Sequence, residues 1–157
     1  MYIETERLII KNLDIKYTDE LFLILSNKDV MRYIETPFSY KQTEGFIINS
    51  ALCNPPLIFG VFSRGTNKLI GHLIFHPFDD NNYEIGWILS KPYWNKGFAQ
   101  ELTKYIIDYA KHKGITGLVI ECDKNQLTTM HIAEKFGFQK EKICSESALI
   151  KYELKLY

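Results

Sequence analysis

Asn95-Lys96-Gly97-Phe98-Ala99 lies between an apolar run and a long helical pattern. Asn and Gly tolerate positive φ. A helix that starts on such a loop leaves its first N–H groups unpaired at the positive end of the helix dipole. That arrangement holds an anion, and a phosphate or pyrophosphate suits it. Lys96 adds a positive charge. Two carboxylates interrupt apolar runs nearby. Glu84 alternates against Tyr83, Ile85 and Trp87, and Glu121 against Ile120 and Cys122, so each points away from the face of its apolar neighbours. A carboxylate in such a strand is costly unless paired or protonated. It serves as a general base or as a partner for a substrate ammonium group; otherwise it is an exposed position or a structural ion pair.

The elements that must position these residues follow from patterning. Arg7–Asn12 reads as a strand. Thr18–Leu25 reads as a helix with Thr18 as its N-cap, and Ser39–Asn49 as another, with Ser39 and Gln42 spaced as a capping box. Cys53–Pro56 ends it. Leu57–Ser63 and Leu69–His76 are apolar runs joined by Arg64–Lys68, a hairpin signal. Asp79–Asn82 turns into a strand at Tyr83–Leu89. After the loop, Leu102, Ile106, Tyr109 and Ala110 recur at helical spacing as far as Lys113, and Gly114 closes the helix. Leu118–Cys122 is a short strand, Leu127–Phe136 a helix stopped by Gly137, and two β-like runs follow from Phe138 to Tyr157. No repeat or linker divides the chain, so residues 1–157 are expected to form one α/β (α+β) domain.

Composition narrows the function. A chain of 157 residues with 46% hydrophobic content buries a sufficient core without disulfide or metal. Lys plus Arg equals Asp plus Glu, 19 against 19, with no long run of one sign, so nucleic acid is not an expected partner. No apolar run nears the ~20 residues of a membrane span, and the first residues lack the pattern of a secretory leader. Cys53, Cys122 and Cys144 show no Cys-x-x-Cys spacing, and reduced thiols in a cytoplasmic protein are the expectation. His72 and His76 share a strand face ~13 Å apart, too far for one metal ion, and no metal is expected. Cys122 reads as a small buried side chain rather than an acyl carrier.

The spacing Trp94-x-x-Gly97-x-Ala99 after a strand resembles the pyrophosphate loop of the GNAT N-acetyltransferases, and the wording from Tyr93 to Ala99 is most like the ribosomal-protein N-terminal acetyltransferase (Rim-like) branch. Asn125–Phe138 resembles a second family segment. Counted back from Gly137-Phe138, Gln126 falls where the family has Asn and Thr129 where it has Ser. The order of elements matches as well, so the resemblance covers nearly the whole chain. It implies a single mixed, mostly antiparallel sheet flanked by helices, with a splayed central strand pair. Acetyl-CoA would be the co-substrate. Asn95, Lys96, Gly97, Phe98 and Ala99 would grip its pyrophosphate, Gln126 and Thr129 would lie along the pantetheine arm, and a backbone N–H near Ile88 or Leu89 would point at the thioester oxygen. Trp94 and Tyr93 would close the loop onto the core. Glu84 or Glu121 would be the base, Glu84 ranked first. The family's Tyr on the later helix aligns with Ala133, which leaves the general acid open. Met31–Phe38 would shape the acceptor pocket.

The activity so implied is acetyl transfer to a primary amine by direct attack in a ternary complex, the acceptor being a protein N-terminus or a small molecule. A catalytically retired acyl-CoA-binding regulatory protein is the alternative. An amine of pKa ~10.4 is neutral in about one molecule in 2,500 at pH 7, an α-amino group near ~7.8 in roughly a tenth, so a lysine-like acceptor demands a tuned base and a peptide N-terminus a modest one. The protein is expected as a monomer or homodimer, with the β-rich C-terminus ending in Tyr157 able to pair with a partner.

Overall fold

The computed structural model describes residues 1–141 and 148–157. Cys144 and the chain on either side of it lie outside the described residues. Eight strands, β1 (Tyr2–Glu4), β2 (Leu8–Lys11), β3 (Ile58–Ser63), β4 (Leu69–Pro77), β5 (Asn82–Leu89), β6 (Gly117–Asp123), β7 (Gln139–Lys140) and β8 (Leu149–Lys155), form one sheet in the order β1-β2-β3-β4-β5-β6-β8-β7. All neighbours are antiparallel except β5 and β6. The helices are α1 (Thr18–Leu25), α2 (Lys28–Met31), α3 (Tyr40–Phe46, continuing as a wider turn through Ala51), α4 (Phe98–His112) and α5 (Leu127–Lys135).

Alternation along the strands builds a core on each face of the sheet. Leu73, Phe75, Ile85 and Ile120 meet Leu102, Ile106, Ile107 and Ala110 of α4 and Ala133 of α5 on one face. Ile58, Phe62, Leu69 and Ile88 meet Leu21, Ile24 and Leu25 of α1 and Val30 and Met31 of α2 on the other. The capping box forms as expected: Ser39 Oγ accepts from Gln42 N at 3.1 Å, and Gln42 Oε1 accepts from Ser39 N at 2.8 Å. Gly114 (φ 73°) and Gly137 (φ 87°) follow α4 and α5 in the left-handed region that stops a helix.

The Thr18 cap and two short elements differ from the expectation. Thr18 is the first residue of α1 rather than its cap; its hydroxyl donates back to Ile15 O at 2.6 Å within the tight turn that precedes the helix. β1 and α2 were not foreseen. β1 exists through pairing with β2 (Tyr2 opposite Lys11), and α2 through Asn27, whose side chain accepts from Asp29 N and Val30 N. At the C-terminal end, β8 lies between β6 and the two-residue β7, which pairs with Tyr152 and Glu153 and forms the edge of the sheet.

Candidate active site

The parallel pair β5–β6 carries the site. The two strands are in register only over Asn82–Glu84 and Gly117–Val119, and beyond Glu84 they diverge. A cleft of about 970 Å³ opens where they part. Trp87, Ile88 and Leu89 line it from β5, and Asn125, Gln126 and Thr129 from the turn and helix after β6.

The backbone of β5 faces the gap at one residue in particular. Ser90 N donates across to Ile70 O of β4 at 2.7 Å, and by strand alternation Ile88 turns its peptide groups the same way. Leu89 turns its own to the opposite side, from which β6 has withdrawn. Its carbonyl accepts the indole N–H of Trp94 there at 2.8 Å. Of the pair Ile88 and Leu89, the N–H that faces the cleft is therefore that of Leu89. Trp94 is tied to the strand end but stays exposed at the cleft, whereas Tyr93 packs edge-on against Phe98 at 5.6 Å and against the core, so Tyr93 closes the loop.

Gly97 is the N-cap of α4 with φ 81°, and Asn95 stands at φ 57°, the left-handed conformations anticipated for this loop. A glycine cap has no side chain to satisfy the first helical N–H groups; the first bond back into the helix is Glu101 N to Gly97 O at 3.0 Å. The uncapped end opens on the cleft, lined there by Asn95, Gly97, Phe98 and Ala99. Lys96 is not among the lining residues; its carbonyl accepts from Arg7 Nη1 at 2.8 Å. Beyond β6, Gln126 Oε1 accepts from Asp123 N at 2.8 Å and Asn125 Nδ2 donates to Asp123 Oδ1 at 2.9 Å, which fixes the turn at the cleft wall.

Neither proposed acid lines this cleft. Glu84 is half-buried, 3.3 Å from His76 Nε2 across the β4–β5 pair, on the sheet face opposite Tyr83, Ile85 and Trp87. Burial pushes its carboxyl above the ordinary value, His76 draws it back in part, and the charge of Glu121 adds to the rise. Glu121 is exposed on β6, opposite Lys151 of β8. His72 is buried on the same strand as His76. Burial pushes the Cys122 thiol up to about 11, so no nucleophilic thiolate forms there at neutral pH. Ala133 is wholly buried and offers no acid.

The far wall is built by α2 and the turn after it: Asp29, Arg32 and Tyr33 face the cleft, and Lys91 Nζ meets Asp29 Oδ2 at 2.5 Å across its mouth. Arg32 and Tyr33 lie in the segment expected to shape the acceptor pocket. Asp29 and Lys91 carried no signal, because their pairing spans 62 residues and rests on tertiary packing.

Residues 7–139 match the acetyltransferase (GNAT) domain family. The chain belongs to the GNAT acetyltransferase family. The N-acetyltransferase YnaD of Bacillus subtilis (strain 168) is 30% identical over 144 residues, covering 90% of this chain and 84% of its own length. Among solved structures, a GNAT-family acetyltransferase from Bacillus anthracis superposes with a TM-score of 0.88 at 28% identity, covering 99% of both chains. RimL, a ribosomal L7/L12 alpha-N-protein acetyltransferase solved with coenzyme A, shares the fold at a TM-score of 0.81 and 18% identity, covering 99% of this chain and 98% of its own. GNAT acetyltransferases take their acetyl group from acetyl-CoA, which is this chain's co-substrate. The uncapped glycine start of α4 and the open gap beyond Glu84 fit that molecule.

Proposed function

We propose that this GNAT acetyltransferase moves the acetyl group of acetyl-CoA onto a primary amine, a protein N-terminus or a small-molecule amine, by direct attack with both reactants bound. The observation that carries this reading is one cleft between the splayed strands, with an uncapped helix start on one wall and a charged wall built by α2 on the other. Two reactants held side by side in one cleft gain the proximity that replaces a bimolecular encounter. The RimL resemblance supports a protein N-terminus as one acceptor class, and the name of YnaD supports transfer to nitrogen.

Acetyl-CoA supplies the thioester; the chain does the rest. The N–H groups of Gly97, Phe98 and Ala99, with Asn95 shaping the turn and Lys96 adding charge, hold the pyrophosphate. Gln126 and Thr129 flank the pantetheine arm. The Leu89 N–H, beside Ile88, faces the thioester oxygen and stabilises the charge that develops on it. Glu84 takes the proton shed by the amine, kept basic by its burial and to a lesser degree by the charge of Glu121. Glu84 lies five residues before Leu89, ~16 Å along a strand, so the proton reaches it through water.

The test measures free thiol release from acetyl-CoA against peptides of different N-termini, polyamines, aminoglycosides and amino acids, with Glu84→Gln and Glu121→Gln alongside. Release that depends on one acceptor class, and falls in Glu84→Gln, is the expected result. Tight acetyl-CoA binding with no acceptor-dependent release would overturn the enzymatic reading.

A further inference from the structure

The N-terminal segment Thr5–Arg7, between β1 and β2, reaches the start of α4 across more than 90 residues of sequence. Arg7 Nε bonds Glu101 Oε2 at 2.6 Å, Arg7 N donates to Glu101 Oε1 at 2.8 Å, and Thr5 Oγ1 donates to the same oxygen at 2.6 Å. Arg7 Nη1 also holds the carbonyl of Lys96 at 2.8 Å, and the guanidinium lies over the Phe98 ring, 4.0 Å from its centroid. A Cβ on Gly97 would stand 3.4 Å from Arg7 Nη2. One guanidinium therefore touches Lys96, Phe98 and Glu101 and abuts Gly97.

Charge makes this more than a brace. Glu101 is an acid in the first turn of α4, with only 11% of its side chain exposed, where the positive end of the helix would otherwise be free for a ligand anion. Its burial disfavours the charged form, but the bonds from Thr5 and Arg7 outweigh that and hold its carboxyl below the ordinary value, so it is ionised at neutral pH. An unpaired carboxylate there would repel a diphosphate bound to the same turn. Pairing with Arg7 removes that repulsion, and the bond to Lys96 O fixes the turn with that carbonyl facing Arg7.

We infer that Arg7 is a positioning residue for the CoA diphosphate, acting by neutralising Glu101 and pinning Lys96 rather than by touching the ligand. The inference rests on the loop being the diphosphate site. The test uses the full chain as Arg7→Ala, Glu101→Gln and the double variant. CoA affinity is read by calorimetry, kcat/KM with acetyl-CoA and with acetyl-pantetheine (which lacks the diphosphate), and melting by calorimetric scan. Arg7→Ala is expected to weaken CoA roughly ten- to a hundred-fold, the scale set by a lost charged hydrogen bond, while kcat/KM for acetyl-pantetheine changes by less than about two-fold. The double variant is expected to bind CoA at least about three-fold more tightly than Arg7→Ala, because the unpaired charge is then gone, while the lost hold on Lys96 keeps it weaker than Glu101→Gln alone.

Equal loss for both acetyl donors would mean general disruption and overturn the inference. So would unchanged CoA affinity in Arg7→Ala, or a double variant no better than Arg7→Ala. A wild-type chain that binds no CoA would overturn the loop assignment and this inference together. If Arg7→Ala does not fold, Arg7→Gln gives the same comparison, since a neutral amide keeps length and a hydrogen-bond donor but cannot neutralise Glu101.

Discussion

His76 and Glu84 face each other across the β4–β5 pair. His76 Nδ1 lies 2.9 Å from Pro77 O, an acceptor, so that nitrogen carries hydrogen. Its Nε2 then faces Glu84 Oε2 at 3.3 Å, and a bond there needs a proton on one side or the other. Burial keeps the Glu84 carboxyl above its ordinary value, which makes it a better proton acceptor than a solvated acid. The acid limb of kcat/KM against pH should accordingly lie above the usual carboxylate range: activity rises as pH climbs through it and is lost below. In Glu84→Gln that limb should vanish and kcat/KM at pH 7 should fall about a hundred-fold for a lysine-like acceptor, less for a peptide N-terminus. Steady-state profiles from acid to mildly alkaline pH read both, and an unaltered limb in the variant would remove Glu84 from the mechanism. The face on which Glu84 lies was legible, because strand alternation has a fixed period. Its partner was not: His76 meets it through the β4–β5 register, which depends on where the intervening turn falls. The Arg7–Glu101 bond was further out of reach, since a lone Arg beside an apolar strand has no period at all.

Elements with a strong local rule matched their sequence. α1 begins at Thr18 and ends at Leu25, the capping box at Ser39 formed, and α4 runs to His112 before Gly114. β1 and α2 have three and four residues, too few for either a strand or a helix period, and owe their existence to pairing and packing. α4 shows how an element serves the site. Its first turn is free for a ligand because the N-cap is a glycine in the left-handed region, a conformation costing other residues roughly 1–2 kcal/mol. Gly97→Val should lower stability by about that amount. It should also weaken CoA at least ten-fold, because the loop must rotate its N–H groups to relieve the strain. Chemical denaturation and calorimetry together test this. A stable variant with wild-type affinity would mean that the positive φ of Gly97 does not shape the anion site.

At the scale of the whole molecule, two cores lie back to back on one sheet, and the cleft opens where the sheet itself divides between β5 and β6. That division was implied by family resemblance alone; no residue in β5 or β6 breaks the strand pattern. The second core carries a built-in pH liability. His72, 1% exposed, lies edge-on to Phe46 at 5.3 Å, and its Nδ1 has no hydrogen-bond partner among the described residues. Burial pushes its pKa from 6.5 down to about 4, so the folded chain keeps the ring neutral where the unfolded chain protonates it. Between those two values the unfolded state binds more protons, and stability must fall as pH drops through the window. The full difference corresponds to about 3 kcal/mol, a large share of the ~5–15 kcal/mol that holds a domain folded. Urea unfolding of the wild type at neutral pH and again near the lower end of that window should show this loss. His72→Leu, which keeps an apolar side chain against Phe46, should lose much less over the same interval. Carboxylates such as Glu101 also gain protons toward the acid end, but they do so in both chains, so the difference between wild type and variant isolates His72. Parallel curves would mean that the ring finds a proton partner on acidification and that the core around Phe46 opens to admit it.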